Sequence, residues 1–65
     1  MRRTIAESIR HIYPDLAEAL EERLFSDEEI AEELRIEAYR HDKVSKRFFT
    51  LLTAANRIDD LGGAE

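Results

Sequence analysis

Residues that interrupt an α-helix are almost absent from this sequence. Proline occurs once, at Pro14, and the only two glycines stand together at Gly62 and Gly63. Apolar residues recur at intervals of three and four, and no stretch alternates apolar and polar residues as a half-buried strand does. These features predict an all-α fold, a small bundle of three main helices. Pro14 either divides the first helix by a turn, which we favour, or only kinks it.

Two apolar stretches flank Pro14 and predict the first helical region. Residues 4–12 present three isoleucines on one helix face, and residues 14–25 present three leucines four residues apart. Proline restricts the residue before it and suits the first turn of a helix, so a new helix is expected to begin at Pro14. The apolar residues are Ile5, Ile9 and Ile12, followed by Leu16, Leu20 and Leu24.

The clearest local signal is the start of a helix at Ser26. The Ser26 hydroxyl can accept from backbone amides of the first turn, and Glu29, three residues later, is the expected capping-box partner. Acidic residues in the first turn also suit the helix dipole. This helix is expected to fade near residues 40–41. Its predicted buried stripe comprises Ile30, Ala31, Leu34 and Ala38.

The last helix is expected to follow a cap at Asp42. Its apolar residues are spaced 4-3-4-3 over about two heptads, too few for a coiled coil. Gly62 can take the left-handed conformation that ends a helix, so one domain of residues 1–65 is predicted, with a loose tail at 62–65. The apolar residues of this helix are Val44, Phe48, Leu51, Ala55 and Ile58.

The small size of the chain limits how such a bundle is stabilised. A domain of 65 residues buries only about 60% of the surface that its unfolded form exposes. The absence of cysteine excludes disulfides and the usual zinc frameworks, which leaves oligomerisation or a partner. The predicted core comprises Ile5, Ile9, Leu16, Leu20, Leu24, Ile30, Leu34, Val44, Phe48, Leu51, Ala55 and Ile58.

No segment of the sequence resembles a membrane span or a secretion signal. The longest weakly polar run, residues 48–55, is far shorter than the roughly 20 apolar residues that a bilayer requires. Glu7 and Arg10 interrupt the region after the basic start. The lack of cysteine fits a reducing compartment. We expect a cytoplasmic protein without a membrane partner.

Charge is sorted along the chain, whose formal net charge is −5. Residues 13–37 contain ten acidic residues against two arginines, and residues 38–57 contain five basic residues against one aspartate. An acidic helix face is therefore predicted to bind a basic protein partner or the basic segment of a second copy. The residues of this face are Glu28, Glu29, Glu32 and Glu33.

Several apolar residues lie off the main apolar faces. At ~100° per residue, Leu52 lies about 80° and Phe49 about 140° from Val44 on the last helix. Tyr39 and Ile36 likewise lie off the stripe of the preceding helix. Either other helices cover these side chains, or they form an exposed patch that marks an interaction site. We predict protein-binding roles for Tyr39, Phe49 and Leu52.

No arrangement of residues indicates catalysis. Glu33, Glu37 and His41 are spaced four residues apart, but di-iron helices use a Glu-x-x-His spacing, so we favour a solvated acidic face. No glycine-rich phosphate loop is present. A bundle this small is expected to have little room for a ligand pocket of ~300 Å³ or more. We therefore expect no enzyme activity, no cofactor and no bound metal.

The segment 25–36 resembles the first half of a helix-turn-helix motif. Its capped helix reads Ile-Ala-x-x-Leu from Ile30 to Leu34, as in many DNA-binding regulators. The resemblance implies that the basic segment 40–57 is a recognition helix. The residues that would then reach phosphates or bases are Lys43, Lys46 and Arg47.

The sequence departs from that motif in specific places. Arg35 stands where the turn usually has glycine, and His41 stands where an apolar residue is expected. The acidic first helix would also lie near phosphates, which repel it. DNA binding is therefore the alternative. The leading prediction is a small, non-enzymatic regulatory or assembly protein that binds another protein through the acidic face and the amphipathic C-terminal helix, and that self-associates.

Overall fold

Four α-helices account for the regular structure of residues 2–63, the part of the chain that the computed structural model describes. They are α1 (Arg2–Ile9), α2 (Pro14–Glu22), α3 (Asp27–Ala38) and α4 (Lys46–Gly63). The predicted all-α bundle is confirmed, although the first of the three expected main helices is two separate helices. The α3–α4 interface is the most extensive, α1 packs on α2 and α4, and α2 touches α3 least.

The chain turns between α1 and α2 because Pro14 prevents one continuous helix. The backbone N–H groups of Ile12 and Tyr13 both donate to the carbonyl of Ile9, at 3.0 and 2.7 Å. Tyr13 has φ −143° and ψ 73°, outside the helical region that a following proline disfavours. The favoured turn is therefore present, but α1 ends at Ile9 and not near Ile12 as predicted.

α2 ends at Glu22 because the next residue, Arg23, adopts left-handed geometry with φ 55° and ψ 39°. The N–H of Leu24 donates to the carbonyl of Ala19 at 3.0 Å, the six-to-one bond of a Schellman helix end. This reversal carries Leu24 off the leucine stripe, and 63% of its surface is exposed. The predictions that α2 reaches Phe25 and that Leu24 is core are therefore wrong.

Ser26 caps α3, as its sequence context predicts. Its hydroxyl oxygen accepts from the backbone N–H of Glu29 at 3.2 Å and donates to the Glu29 carboxylate at 3.2 Å. In the first turn of α3, Asp27 forms a two-pronged ion pair with Arg2, with N–O distances of 2.6 and 2.7 Å. This pair ties the first turn of α1 to that of α3.

α4 begins at Lys46, whereas a cap at Asp42 would start the helix at the residue that directly follows it. The Asp42 carboxylate accepts from the N–H of Val44, and the Ser45 hydroxyl accepts from the N–H of Phe48, both at 3.2 Å. Ser45, not Asp42, thus caps the last helix. Val44 lies in the turn before α4 and is 82% exposed, so its predicted place in the core is wrong.

The C-terminal end of α4 also differs from the prediction. The helix continues through Gly63, and no glycine among residues 2–63 has a positive φ, so Gly62 does not take the left-handed conformation. A glycine costs a helix about 1 kcal/mol relative to alanine, and extension of a long existing helix offsets such a cost because each added residue gains a hydrogen bond. The remainder of the predicted tail, Ala64 and Glu65, lies outside the described residues.

Apolar stripes from all four helices meet in one core. All predicted core residues except Leu24 and Val44 are buried. The structure adds alanines on the same faces, whose small side chains allow helices to approach closely. These further buried residues are Ala6, Ala17, Ala19 and Ala54, and the alanines of the predicted stripe, Ala31 and Ala38, are buried as well.

The left-handed conformation of Arg23 leads to a prediction about stability. A residue with a Cβ atom costs about 1 kcal/mol more than glycine in this region. Arg23→Gly should therefore raise the free energy of unfolding by about 1 kcal/mol, measured by chemical denaturation followed by circular dichroism. Arg23→Ala is the control, because it removes the same guanidinium but keeps the Cβ atom. An equal gain from both variants would contradict the conformational explanation.

Candidate functional site

A groove lies between the start of α2 and the first half of α3. Its volume is about 440 Å³. α2 and α3 share the smallest of the four helix–helix interfaces, so little side-chain material fills the space between them. We call this feature the acidic groove; it is lined by Tyr13, Asp15, Leu16, Phe25, Glu29, Ile30, Glu32 and Glu33.

The acidic groove contradicts the expectation that a bundle of this size has little room for a pocket. Ligand sites usually occupy ~300 to 1,000 Å³, and the groove, at about 440 Å³, falls within that range. The expectation failed because helix–helix packing is concentrated elsewhere, between α3 and α4 and between α1 and α2. The α2–α3 junction is consequently left open.

Apolar side chains form one part of the groove lining. Leu16 and Ile30 are buried in the core, whereas Tyr13 is half-buried and Phe25 is 53% exposed. Phe25 and Ile30 occupy the two positions of a hydrophobic staple, which precede and follow the cap of α3. Sequence reasoning missed Phe25 and Tyr13 as site residues. The available signal was an aromatic residue directly before the start of each helix.

Four exposed carboxylates form the other part of the lining: those of Asp15, Glu29, Glu32 and Glu33. The dipole of α3 stabilises acidic residues in its first turn, which includes Glu29. Glu32 and Glu33 lie beyond that turn, and neither forms an ion pair within residues 2–63. Glu28, the fourth residue of the predicted acidic face, is exposed on α3 but does not line the groove.

A second surface lies where α3 passes into α4. Tyr39 and Phe49 each contact Phe48 edge-to-face, with ring centroids 5.6 and 5.5 Å apart. Phe48 is buried, whereas Tyr39 is 63% and Phe49 59% exposed. The structure thus places two predicted protein-binding residues, one at the end of α3 and one in α4, against the same buried ring. We call these three residues the aromatic end.

Leu52, the third apolar residue predicted to bind protein, is only partly exposed and packs against the core. Phe49 also lines a shallow hollow of about 260 Å³ between α1 and α4. The other residues of this hollow are Ser8, Thr50, Thr53, Ala54 and Arg57.

Basic residues lie close to the aromatic end in the sequence. Lys43 is in the turn before α4, and Lys46 and Arg47 are the first two residues of α4. All three are exposed, and none forms an ion pair with any residue that the structure describes. Their charges therefore remain open to an external partner.

The connection between α3 and α4 differs from that of a helix-turn-helix motif. It comprises seven residues, 39–45, whereas the motif joins its helices by a turn of three or four. α4 begins at Lys46, so the segment 40–57 is not one helix. Lys43 lies outside α4, and the three residues of the DNA-binding alternative do not share a recognition helix.

The carboxylate of Glu37 lies 3.6 Å from His41 Nε2 and 3.6 Å from the Arg40 guanidinium. Glu33, which shares the same spacing, lines the acidic groove. Among residues 2–63, no three histidine, aspartate or glutamate side chains are placed to hold one metal ion.

Comparisons with known proteins give no match to this chain among family models, curated proteins or solved structures. None of the four described helices combines the length and the apolar composition needed to cross a bilayer.

The aromatic end leads to a prediction that separates surface from core. Phe49→Ala should lower the free energy of unfolding by less than about 1 kcal/mol, because the ring is mostly exposed. Phe48→Ala removes a buried ring and should cost about 3–5 kcal/mol. Thermal unfolding of both variants, followed by circular dichroism, measures the difference. A loss for Phe49→Ala as large as that for Phe48→Ala would place Phe49 in the core.

Proposed function

We propose that this protein is a small, non-enzymatic regulatory or assembly protein that binds another protein. The binding site is the acidic groove, and its occupant is a protein segment that combines an apolar side chain with lysine or arginine. The observation that carries this proposal is the joint lining of one groove by the exposed Phe25, the half-buried Tyr13 and four carboxylates. An apolar side chain gains by leaving water there, and a cation gains from the surrounding charge.

The acidic residues support a cationic partner over a neutral one. Like charges close together repel one another, and Glu32 and Glu33 have no basic residue within ion-pair distance among residues 2–63. A bound lysine or arginine relieves that repulsion and forms ion pairs in their place. Complementary charge also steers the encounter of two proteins and speeds their association.

The openness of the groove favours a protein segment over a small ligand. Small-molecule sites usually enclose most of the ligand surface within apolar walls. Here the four acidic residues are exposed and more than half of the Phe25 surface faces solvent. Such a site suits a side chain that is delivered and held by a larger partner, with contacts that continue beyond the groove.

A labelled peptide tests the proposal directly. The probe is a short fluorescein-labelled peptide in which a central phenylalanine is flanked on both sides by lysine and arginine. Its dissociation constant is measured by fluorescence anisotropy. Glu32→Gln with Glu33→Gln should weaken binding roughly fivefold, at ~0.5 kcal/mol for each exposed ion pair. Phe25→Ser should weaken it at least tenfold, because the burial of a large apolar side chain contributes ~1.5–3 kcal/mol.

Two controls accompany this experiment. One removes the same charge elsewhere on the protein, and the other replaces the apolar side chain of the peptide. Glu18→Gln with Glu22→Gln removes the same charge from exposed α2 residues outside the groove, and should leave the affinity nearly unchanged. A peptide with serine in place of the phenylalanine should bind much more weakly. Equal losses from the two pairs of glutamates would indicate a general charge effect and contradict the groove as the site. So would equal affinities for the two peptides.

A further inference from the structure

We propose that the segment held by the acidic groove is the aromatic end of a second copy of this chain, together with the basic residues Lys43, Lys46 and Arg47. This inference rests on the proposed function, because it names the partner of the same groove. It predicts head-to-tail association, in which the groove of one copy receives the Tyr39 and Phe49 side chains of the next.

The distribution of unpaired charge supports a second copy as the occupant. Five arginines already pair with carboxylates of the same chain: Arg2, Arg3, Arg10, Arg35 and Arg40. The cations near the aromatic end, at Lys43, Lys46 and Arg47, have no such pair among the described residues. The glutamates of the groove, Glu32 and Glu33, likewise have none. The unpaired charges at these two surfaces are opposite in sign and therefore complement each other.

The apolar parts of the two surfaces complement each other as well. The groove has an aromatic and aliphatic lining with room for a large side chain, about 440 Å³. Tyr39 and Phe49 present exposed rings that are positioned by their edge-to-face contacts with the buried Phe48. Side chains held in place before binding lose little conformational entropy when they bind. The groove is acidic and concave, whereas the aromatic end presents exposed rings with basic residues nearby. The two surfaces are therefore complementary in charge and in shape.

The positions of the two surfaces exclude association within a single copy. Ile30 on the groove floor and Tyr39 are nine residues apart on α3 and its end, which corresponds to about 13 Å along a helix. Because α3 is one helix, it holds the groove floor and Tyr39 apart at this distance. The aromatic end therefore reaches a groove only on another molecule. Because the contacting surfaces differ, the contact is heterologous and can continue from copy to copy.

The test uses the full chain and two neutralised variants. One variant, Glu32→Gln with Glu33→Gln, has a weakened groove; the other, Lys46→Gln with Arg47→Gln, has a weakened aromatic end. Sedimentation velocity over a range of protein concentrations at low salt measures association. The unmodified chain should form species larger than a dimer as concentration rises. Each variant alone should show a dissociation constant raised about fivefold.

An equimolar mixture of the two variants distinguishes head-to-tail contact from other arrangements. Each pair of unlike variants can form one contact between an intact groove and an intact aromatic end, so the mixture should form dimers with the original affinity, whereas growth beyond the dimer should be weaker than for the unmodified chain. Glu18→Gln with Glu22→Gln, and Arg3→Gln with Arg23→Gln, are the matched charge controls and should associate like the unmodified chain. Circular dichroism confirms that each variant retains its helices.

Three outcomes would overturn the inference. A chain that stays monomeric at every concentration would exclude the second copy, whereas binding of the basic peptide would still support the groove as a protein-binding site. A groove variant that associates as strongly as the unmodified chain would show that the aromatic ends pair with each other. A salt-dependent shift of duplex DNA, abolished by Lys46→Gln with Arg47→Gln, would identify nucleic acid as the partner of the basic residues.

Discussion

The packing of α3 against α4 is the interaction on which the rest of the structure depends. These two helices share the largest interface in the bundle, and their facing residues, Leu34, Leu51 and Ile58 among them, are fully buried. A chain this short has few apolar residues to bury. Most of those that contact α3 pack on the face that meets α4, so few apolar residues remain to cover its opposite face. α2 meets α3 only sparsely. The acidic groove is the direct consequence of this uneven packing.

Local backbone chemistry decides where each apolar stripe ends, and so which apolar side chains remain outside. The left-handed Arg23 ends α2 and turns Leu24 into solvent. The Ser45 cap starts α4 after Val44, which is left in the turn. The Ser26 cap starts α3 directly after Phe25, whose ring then lines the groove. Helix caps therefore shape the surface of this protein as much as they stabilise its helices.

Ion pairs within the chain determine which charges are available for binding. The bidentate Arg2–Asp27 pair joins α1 to α3, the Arg10–Glu21 pair joins the turn after α1 to α2, and the Arg35–Asp59 pair joins α3 to α4. The latter two pairs are more exposed than the partly buried Arg2–Asp27 pair, and exposed pairs contribute little stability individually. They also engage these arginines and carboxylates within the chain. Glu32 and Glu33 at the groove are without such a pair among the described residues, and so are Lys43, Lys46 and Arg47 near the aromatic end, an arrangement that favours association between unlike surfaces.

The sequence by itself determined the helical class, the cap at Ser26, the turn at Pro14 and most of the core, because these follow from local propensity and from spacing along single helices. It also indicated that Tyr39 and Phe49 lie off the main stripes. Only the tertiary structure decided that both rings contact Phe48 and that Phe25 and Tyr13 share a groove with Glu32 and Glu33. Spacing along one helix says nothing about the distance between two helices. Leu24 and Val44 fit their stripes by spacing yet lie beyond the helix ends, since the cap geometry of each helix outweighed its periodicity.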